Sequence, residues 1–243
     1  MSTARHHFAQ TGQATIEYLY VIPILLLLLL ASLQFVFIYE AKQTLNYATF
    51  VGTRAGALNN GAMASIQDGL AAGLALLFSH NTTQQALKDA RALAKTELGN
   101  DKLALIQIVN PTSGALSGFG GSGEIPNDNL MYRDPSVLKS GMNVQDANLL
   151  KVRVIYCVRL IVPMVNRLIY GYAVSPAPTP AAIDSYSGGA ISAAATLKVA
   201  APGSASGLCV DPTNAYPYRI PVSSEAVVRM QSPFRDPGAW TAP

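Results

Sequence analysis

Residues 12–58 read GQATIEYLYVIPILLLLLLASLQFVFIYEAKQTLNYATFVGTRAGAL, and this stretch decides the fold. It contains an uncharged run, residues 18–39, that is bracketed by Glu17 and Glu40. At about 1.5 Å of rise per residue the run is roughly 33 Å long as a helix, enough to cross the hydrocarbon core of a bilayer. Because a helix satisfies all of its own backbone groups in lipid, the run predicts one transmembrane helix.

Glu17 is the unusual residue of this stretch. A carboxylate at a membrane boundary costs free energy unless it has a partner, so Glu17 is a candidate functional residue. The structural alternative is a plain single-pass anchor whose Glu17 lies among the lipid headgroups.

The helix is expected to continue beyond the apolar run. Apolar residues recur there at helical spacing, while Lys42, Asn46 and Arg54 lie off that stripe. The stripe consists of Ala41, Leu45, Ala48, Ala55 and Leu58. The turn signal Asn59-Asn60-Gly61 predicts the end of the helix.

The bulk composition describes a membrane-anchored protein with one further domain. The chain has 243 residues, of which 50% are hydrophobic and 13% are charged. The part after residue 60, roughly 180 residues, is long enough for one domain with a real core. The net charge is only +3, and Lys and Arg are scattered, so we expect no nucleic-acid partner.

Cys157 and Cys209 are the only two cysteines, and both follow the apolar run. If that side of the membrane is extracytoplasmic, a single disulfide between them is expected. The alternative is two unpaired, partly buried thiols, because sequence alone does not show that they are close.

The beginning of the apolar stretch resembles a known processing site. The sequence Gly12-Gln13-Ala14-Thr15-Ile16-Glu17-Tyr18 is similar to that of prepilins, most closely the Flp and TadE-like proteins of tight-adherence pilus systems. Pro23, early in the apolar run, and the polar stretch at residues 41–48 are also similar to TadE-like proteins. The resemblance covers about residues 12–57, with a looser likeness at residues 226–231.

The resemblance implies how the chain is processed. In that family a membrane aspartyl peptidase cuts after the glycine. Glutamate is then the fifth residue of the mature chain, and tyrosine or phenylalanine is the sixth. The mature chain would therefore start at Gln13, and Glu17 and Tyr18 would take those two places. A neighbouring subunit's new amino terminus would pair with Glu17 and set the register between subunits.

The resemblance also implies the organisation and the role of the chain. Residues 1–12 would be a leader peptide, 13–39 the transmembrane helix, 40–60 its helical extension and 61–243 an extracytoplasmic α+β domain. The protein would be a minor pilin or pseudopilin acting in initiation or assembly of a type IV (Tad/Flp) pilus. It would lie in the bacterial inner membrane with its N-terminus in the cytoplasm and its head in the periplasm. Its partners would be the prepilin peptidase, other pilin-like subunits, the inner-membrane assembly platform and membrane lipid.

The head is expected to combine helices with a small β-sheet around the helical spine. Helices are predicted at residues 63–79 and 84–98, the second capped by Thr82 or Thr83 and ended by Gly99-Asn100. Residues 160–172 are apolar but interrupted and too short to span a membrane, which leaves contact with its surface as an alternative. Strands are predicted at residues 103–109, 150–158, 190–199 and 225–230, and loops at 110–130, 176–180 and 203–207.

Tests for catalytic motifs favour a protein that is not an enzyme. Residues 118–123 match G-x-G-x-x-G, but no helix opens after them, so nucleotide binding is rejected. His80 is the only histidine outside residues 1–12 and is interpreted as a surface residue. Asp134 starts a metal-like D-x-S sequence that fails at Leu138. We therefore expect no cofactor and no metal.

Two alternatives stay open at this point. One is a permanently anchored single-pass periplasmic protein that binds or senses a ligand. The other is a pseudopilin of a secretion system, in which phenylalanine usually borders the cleavage site.

Overall fold

The structure is a computed structural model that describes residues 11–121, 123–174, 209 and 218–237. The predicted α+β class is confirmed, since a long apolar N-terminal helix is followed by further helices and a small antiparallel sheet. The helices are α1 (Thr11–Leu58), α2 (Met63–Phe78), α3 (Gln84–Leu98), α4 (Ser113–Phe119), α5 (Val144–Ala147) and α6 (Val165–Val174), with a 3-10 turn at Leu130–Tyr132. The strands are β1 (Ala104–Asn110), β2 (Glu124–Ile125), β3 (Leu149–Arg159), β4 (Arg219–Arg229) and β5 (Phe234–Arg235).

Helix α1 has 48 residues and runs through Pro23, which makes it about 72 Å long at 1.5 Å per residue. Its two halves have different surroundings. Most side chains from Tyr18 to Phe37 are exposed, whereas Ala41, Leu45 and Ala48 are buried in the core. The first half is therefore a free apolar helix and the second half is the spine of the head.

The spine faces the core with a stripe that differs in part from the predicted one. Ala55 is only half-buried and Leu58 is 50% exposed, whereas Gly52 and Gly56 are buried. The prediction was wrong at its C-terminal end because it counted apolar side chains. The true stripe continues through two glycines, which carry none.

These glycines allow α1 and α2 to pack at very short range. A Cβ atom on Gly69 would lie 2.8 Å from the Cα atom of Gly52, and one on Gly73 would lie 2.5 Å from the Cα atom of Ala48. A glycine inside a helix costs roughly 0.5–1 kcal/mol relative to alanine. Gly69 and Gly73 allow the axis of α2 to lie directly against the spine.

The sheet lies against the same spine. Its strand order is β1-β3-β4, and both pairings are antiparallel, with Val154 opposite Ile106 on one side and Ser224 on the other. The strand predicted at residues 150–158 is β3, and its valines are buried on one face of the sheet. Ile155 and Cys157, on the other face, are buried as well.

Most element predictions hold, and the main errors involve contacts between distant residues. The predicted helix at residues 84–98 is α3, and Thr83 caps it by accepting a hydrogen bond from the Ala86 amide. The predicted loop at residues 110–130 is wrong, because it contains α4 and also β2, which pairs with β5. The last strand is longer than predicted, since β4 begins at Arg219, where Pro221 and two serines hide the apolar pattern.

The remaining predictions divide into two groups. The apolar segment at residues 160–172 contains helix α6, which was not predicted. The predicted strand at residues 190–199 and the loops at 176–180 and 203–207 lie outside the described residues.

Candidate functional site

The N-terminal end of α1 carries the residues predicted to act in processing and assembly. Gly12 and Gln13 lie in its first turn, and Glu17 follows about one turn later. Glu17 and Tyr18 are both exposed. Within the described part of the chain, the Glu17 carboxylate forms no hydrogen bond or ion pair, so any partner must come from elsewhere.

The surface that follows Glu17 is almost wholly apolar. Residues 18–37 expose leucine, isoleucine, valine, phenylalanine and tyrosine side chains, and no charged side chain interrupts them. Helix α1 is the one helix, among the described residues, that is long and apolar enough to cross a membrane. The chain thus fits a single-pass membrane anchor.

The head contains a buried charge cluster that the sequence patterns did not reveal. Glu97, at the end of α3, accepts hydrogen bonds from Tyr156 and Arg159 on β3 and from Arg219 at the start of β4. Nη2 of Arg219 lies 3.2 Å from Oε1 of Glu97, and its Nη1 donates to the carbonyl oxygen of Cys157 at 3.1 Å. The Arg219 side chain is only 2% exposed.

The cluster shifts two pKa values in the directions expected for a charged, well-bonded carboxylate. Burial raises the pKa of Glu97, but the hydrogen bonds from Arg219, Tyr156 and Arg159 outweigh it and hold that pKa below its ordinary value. Burial, together with the adjacent Glu97 charge, raises the pKa of Tyr156 far above its ordinary value. Glu97 is therefore ionised and Tyr156 protonated at neutral pH, as suits a structural ion cluster that ties α3 to the sheet.

A disulfide lies beside this cluster. Cys157 on β3 is bonded to Cys209, with their Cα atoms 5.2 Å apart. The Cys209 amide also donates to the carbonyl oxygen of Lys102 at 2.6 Å. These contacts attach residue 209 to the central strand β3 and to Lys102, which lies between α3 and β1.

The structure places the three sequence features that were considered for catalysis or metal binding, at His80, Gly118 and Asp134. His80 is exposed, as predicted, and Gly118 lies in α4, so a helix and not a strand precedes the glycine-rich sequence. The Asp134 carboxylate accepts hydrogen bonds from the amide and hydroxyl groups of Ser136, which lower its pKa. Within the described residues, no group of three or more His, Cys, Asp or Glu side chains could hold a metal ion.

Comparison with known proteins gives a family match for the N-terminal helix. Residues 12–54 match the family model described as TadE-like protein. The chain carries a TadE-like segment. The resemblance predicted from residues 12–57 is confirmed over this range, and it associates the chain with the tight-adherence pilus system. No curated protein and no solved structure matches the chain.

The TadE-like segment includes both halves of α1. It begins at Gly12, contains Glu17 and Tyr18, and ends at Arg54 on the spine. The rest of the head lies outside the match, and so does the looser likeness at residues 226–231. The match therefore identifies the helix that bears the candidate site, and the head has to be interpreted from its own geometry.

One residue of the TadE-like segment contacts the head in a way that was not predicted. Gln34 lies in the apolar run but is fully buried, and its Oε1 accepts a hydrogen bond from the Val162 amide at 2.8 Å. Its buried Nε2 has no hydrogen-bond partner among the described residues. The one sequence feature at this position is a single amide within an apolar run, and it does not indicate that Val162 covers it.

Proposed function

We propose that this TadE-like protein is a minor pilin or pseudopilin of a Tad/Flp pilus that acts in pilus initiation or assembly. A prepilin peptidase removes residues 1–12, and the mature chain starts at Gln13. The protein carries out no chemistry of its own. Other pilin-like subunits and the inner-membrane assembly platform are its partners.

The observation that carries the proposal is Glu17, which has no partner among the described residues, at the start of an exposed apolar helix. A carboxylate among packed helices in a low-dielectric environment needs a cation, and removing its partner is costly. After cleavage each neighbouring subunit presents the amino group of Gln13. A Glu17–amine pair between subunits would set their axial register, because a buried charge specifies position more than it adds stability.

The disulfide supports the proposed orientation of the protein in the membrane. Disulfides persist in oxidising compartments such as the bacterial periplasm and are rare in the cytosol. Cys157 and Cys209 lie in the head. The disulfide thus supports a head in the periplasm and a short polar N-terminal segment, with Arg5, in the cytoplasm.

The proposal predicts that Glu17→Ala separates processing from assembly. The variant is expected to insert into the membrane and lose residues 1–12, yet to form no pili, because the pairing carboxylate is gone. The matched control is Glu40→Ala, which removes the exposed acid at the other end of the apolar run. Electron microscopy of cells whose only copy is the variant measures piliation, and normal piliation with Glu17→Ala would refute the register role.

A further inference from the structure

The head reaches down along α1 to the level of the apolar run. Leu150, near the start of β3, lies beside Gly56, where an added Cβ atom would be 3.1 Å from Cδ2 of Leu150. At the other end of the strand, the Val162 amide bonds to Gln34. Strand β3 and the segment after it thus run back along the helix toward its N-terminus. Val162 lies about 9 Å on the N-terminal side of Glu40, at 1.5 Å per residue along α1.

The segment at this level is residues 160–168, and we refer to it as the membrane-proximal segment. It buries Leu160, Val162 and Val165 against the protein. Its opposite side exposes Ile161 (66%), Met164 (62%) and Leu168 (56%). Ile161 and Met164 lie in the turn before α6, and Leu168 lies in the first turn of that helix. We refer to these three exposed apolar side chains together as the apolar face.

This apolar face continues the apolar surface of the TadE-like helix. Phe35 and Val36 of α1 are exposed next to Gln34, at the height of the membrane-proximal segment. A bilayer that covers Phe35 and Val36 therefore also reaches the exposed side of the membrane-proximal segment. Arg167, exposed on the same segment, lies 6.0 Å from the ring centre of Tyr218. Its charge would favour the phosphate groups of such a bilayer.

We propose that the membrane-proximal segment docks the head on the surface of the bilayer that α1 crosses. The occupant of its apolar face is phospholipid, with Ile161, Met164 and Leu168 entering the boundary between headgroups and acyl chains. Interfacial segments of this kind bury their apolar face about 5–10 Å deep, which agrees with the height set by Gln34. Docking holds the head at a fixed height and rotation about the helix. The inference rests on α1 crossing the membrane and not on cleavage after Gly12.

The test is lipid quenching of tryptophan fluorescence in the full-length protein. The single tryptophan of the chain, Trp240, is first replaced by phenylalanine. Tryptophan is then introduced as Ile161→Trp or as Leu168→Trp, on two different parts of the segment. The protein is reconstituted into phosphatidylcholine–phosphatidylglycerol vesicles in which the phosphatidylcholine carries bromine on its upper acyl carbons.

Two control variants frame the measurement. Tyr132→Trp lies at the opposite end of the head, in the 3-10 turn at Leu130–Tyr132. Asn127, shortly before this turn, donates a hydrogen bond to the carbonyl oxygen of Met230. The amide of the next residue, Gln231, donates to the carbonyl oxygen of Ala57, near the C-terminal end of α1. Tyr132 is also 82% exposed, so it serves as the unquenched reference. Leu28→Trp, within the apolar run, serves as the quenched reference.

We expect brominated lipid to lower the fluorescence of Ile161→Trp and Leu168→Trp by about half or more, since both lie within ~10 Å of the interface. If both variants behave like Tyr132→Trp while Leu28→Trp is quenched, the docking inference is overturned and the membrane anchor stands. If Leu28→Trp is also unquenched, the anchor and the docking fail together.

Discussion

Glu97→Gln is expected to lower the free energy of unfolding by about 3–5 kcal/mol, the cost of removing one partner of a buried ion pair. The substitution keeps the shape of the side chain but removes the Glu97 charge that faces the buried guanidinium of Arg219. Arg159 loses the same partner. The measurement is denaturant unfolding of the full-length protein in detergent, followed by circular dichroism.

The matched control is Glu124→Gln, which removes an exposed ion pair with Arg235. Exposed pairs contribute about 0–1 kcal/mol, so this variant should be nearly neutral. Equal decreases in the free energy of unfolding of the two variants would show that the Glu97 cluster stabilises the fold no more than a surface ion pair does.

The same cluster sets a pH dependence with a definite sign. Because the folded pKa of Glu97 lies below its ordinary value of 4.5, the folded protein takes up a proton there less readily than the unfolded chain. The stabilisation is therefore complete above pH 4.5 and is lost as the pH falls through the folded pKa. Glu97→Gln is expected to weaken the loss of stability at low pH. If the free energy of unfolding of this variant falls with pH as in the wild type, other carboxylates cause the acid sensitivity.

Gly73→Ala is expected to destabilise the protein by about 1–3 kcal/mol, the usual cost of overpacking. The added methyl group would lie 2.5 Å from the Cα atom and 2.7 Å from the Cβ atom of Ala48. Both belong to the spine or are attached directly to it, so relief requires α2 to move away from α1. This cost exceeds the roughly 0.5–1 kcal/mol that alanine adds to helix stability.

Gly171→Ala supplies the matched control for that substitution. Gly171 also lies in a helix, α6, but no atom of the described residues is within 4 Å of the position that a Cβ atom would take. Only the helix preference remains, so this variant should be neutral or up to about 1 kcal/mol more stable. The same unfolding experiment compares the two, and a stabilised Gly73→Ala would contradict the close packing of α1 on α2.

The parts of the fold that could be predicted from sequence depend on local patterns. The long uncharged run and the turn at Asn60 and Gly61, which both have positive φ, determine the extent of α1. The alternation along β3 and the cap at Thr83 are local in the same way. Periodicity, capping and turn chemistry act over a few residues, so they can be read directly from the chain.

The parts that were missed depend on contacts between distant residues. The Glu97 cluster joins α3, β3 and β4, and none of its members lies in a motif. Gln34 was missed for the same reason. A single amide in an apolar run becomes notable only once the contact with the distant Val162 amide is known. In contrast, Glu17 could be predicted as a site residue, because it is a carboxylate at the boundary of the apolar run and its neighbours in the sequence resemble a family motif.

The central claim is prepilin processing, and the intact mass of the protein isolated from its native membrane tests it most directly. The account predicts a chain that begins at Gln13, and predicts that Gly12→Ala still inserts into the membrane but keeps all twelve preceding residues, because the peptidase needs the glycine. A wild-type chain that still carries Arg5 in cells with active peptidase would contradict the account and leave a permanently anchored protein in which Glu17 has no assembly role.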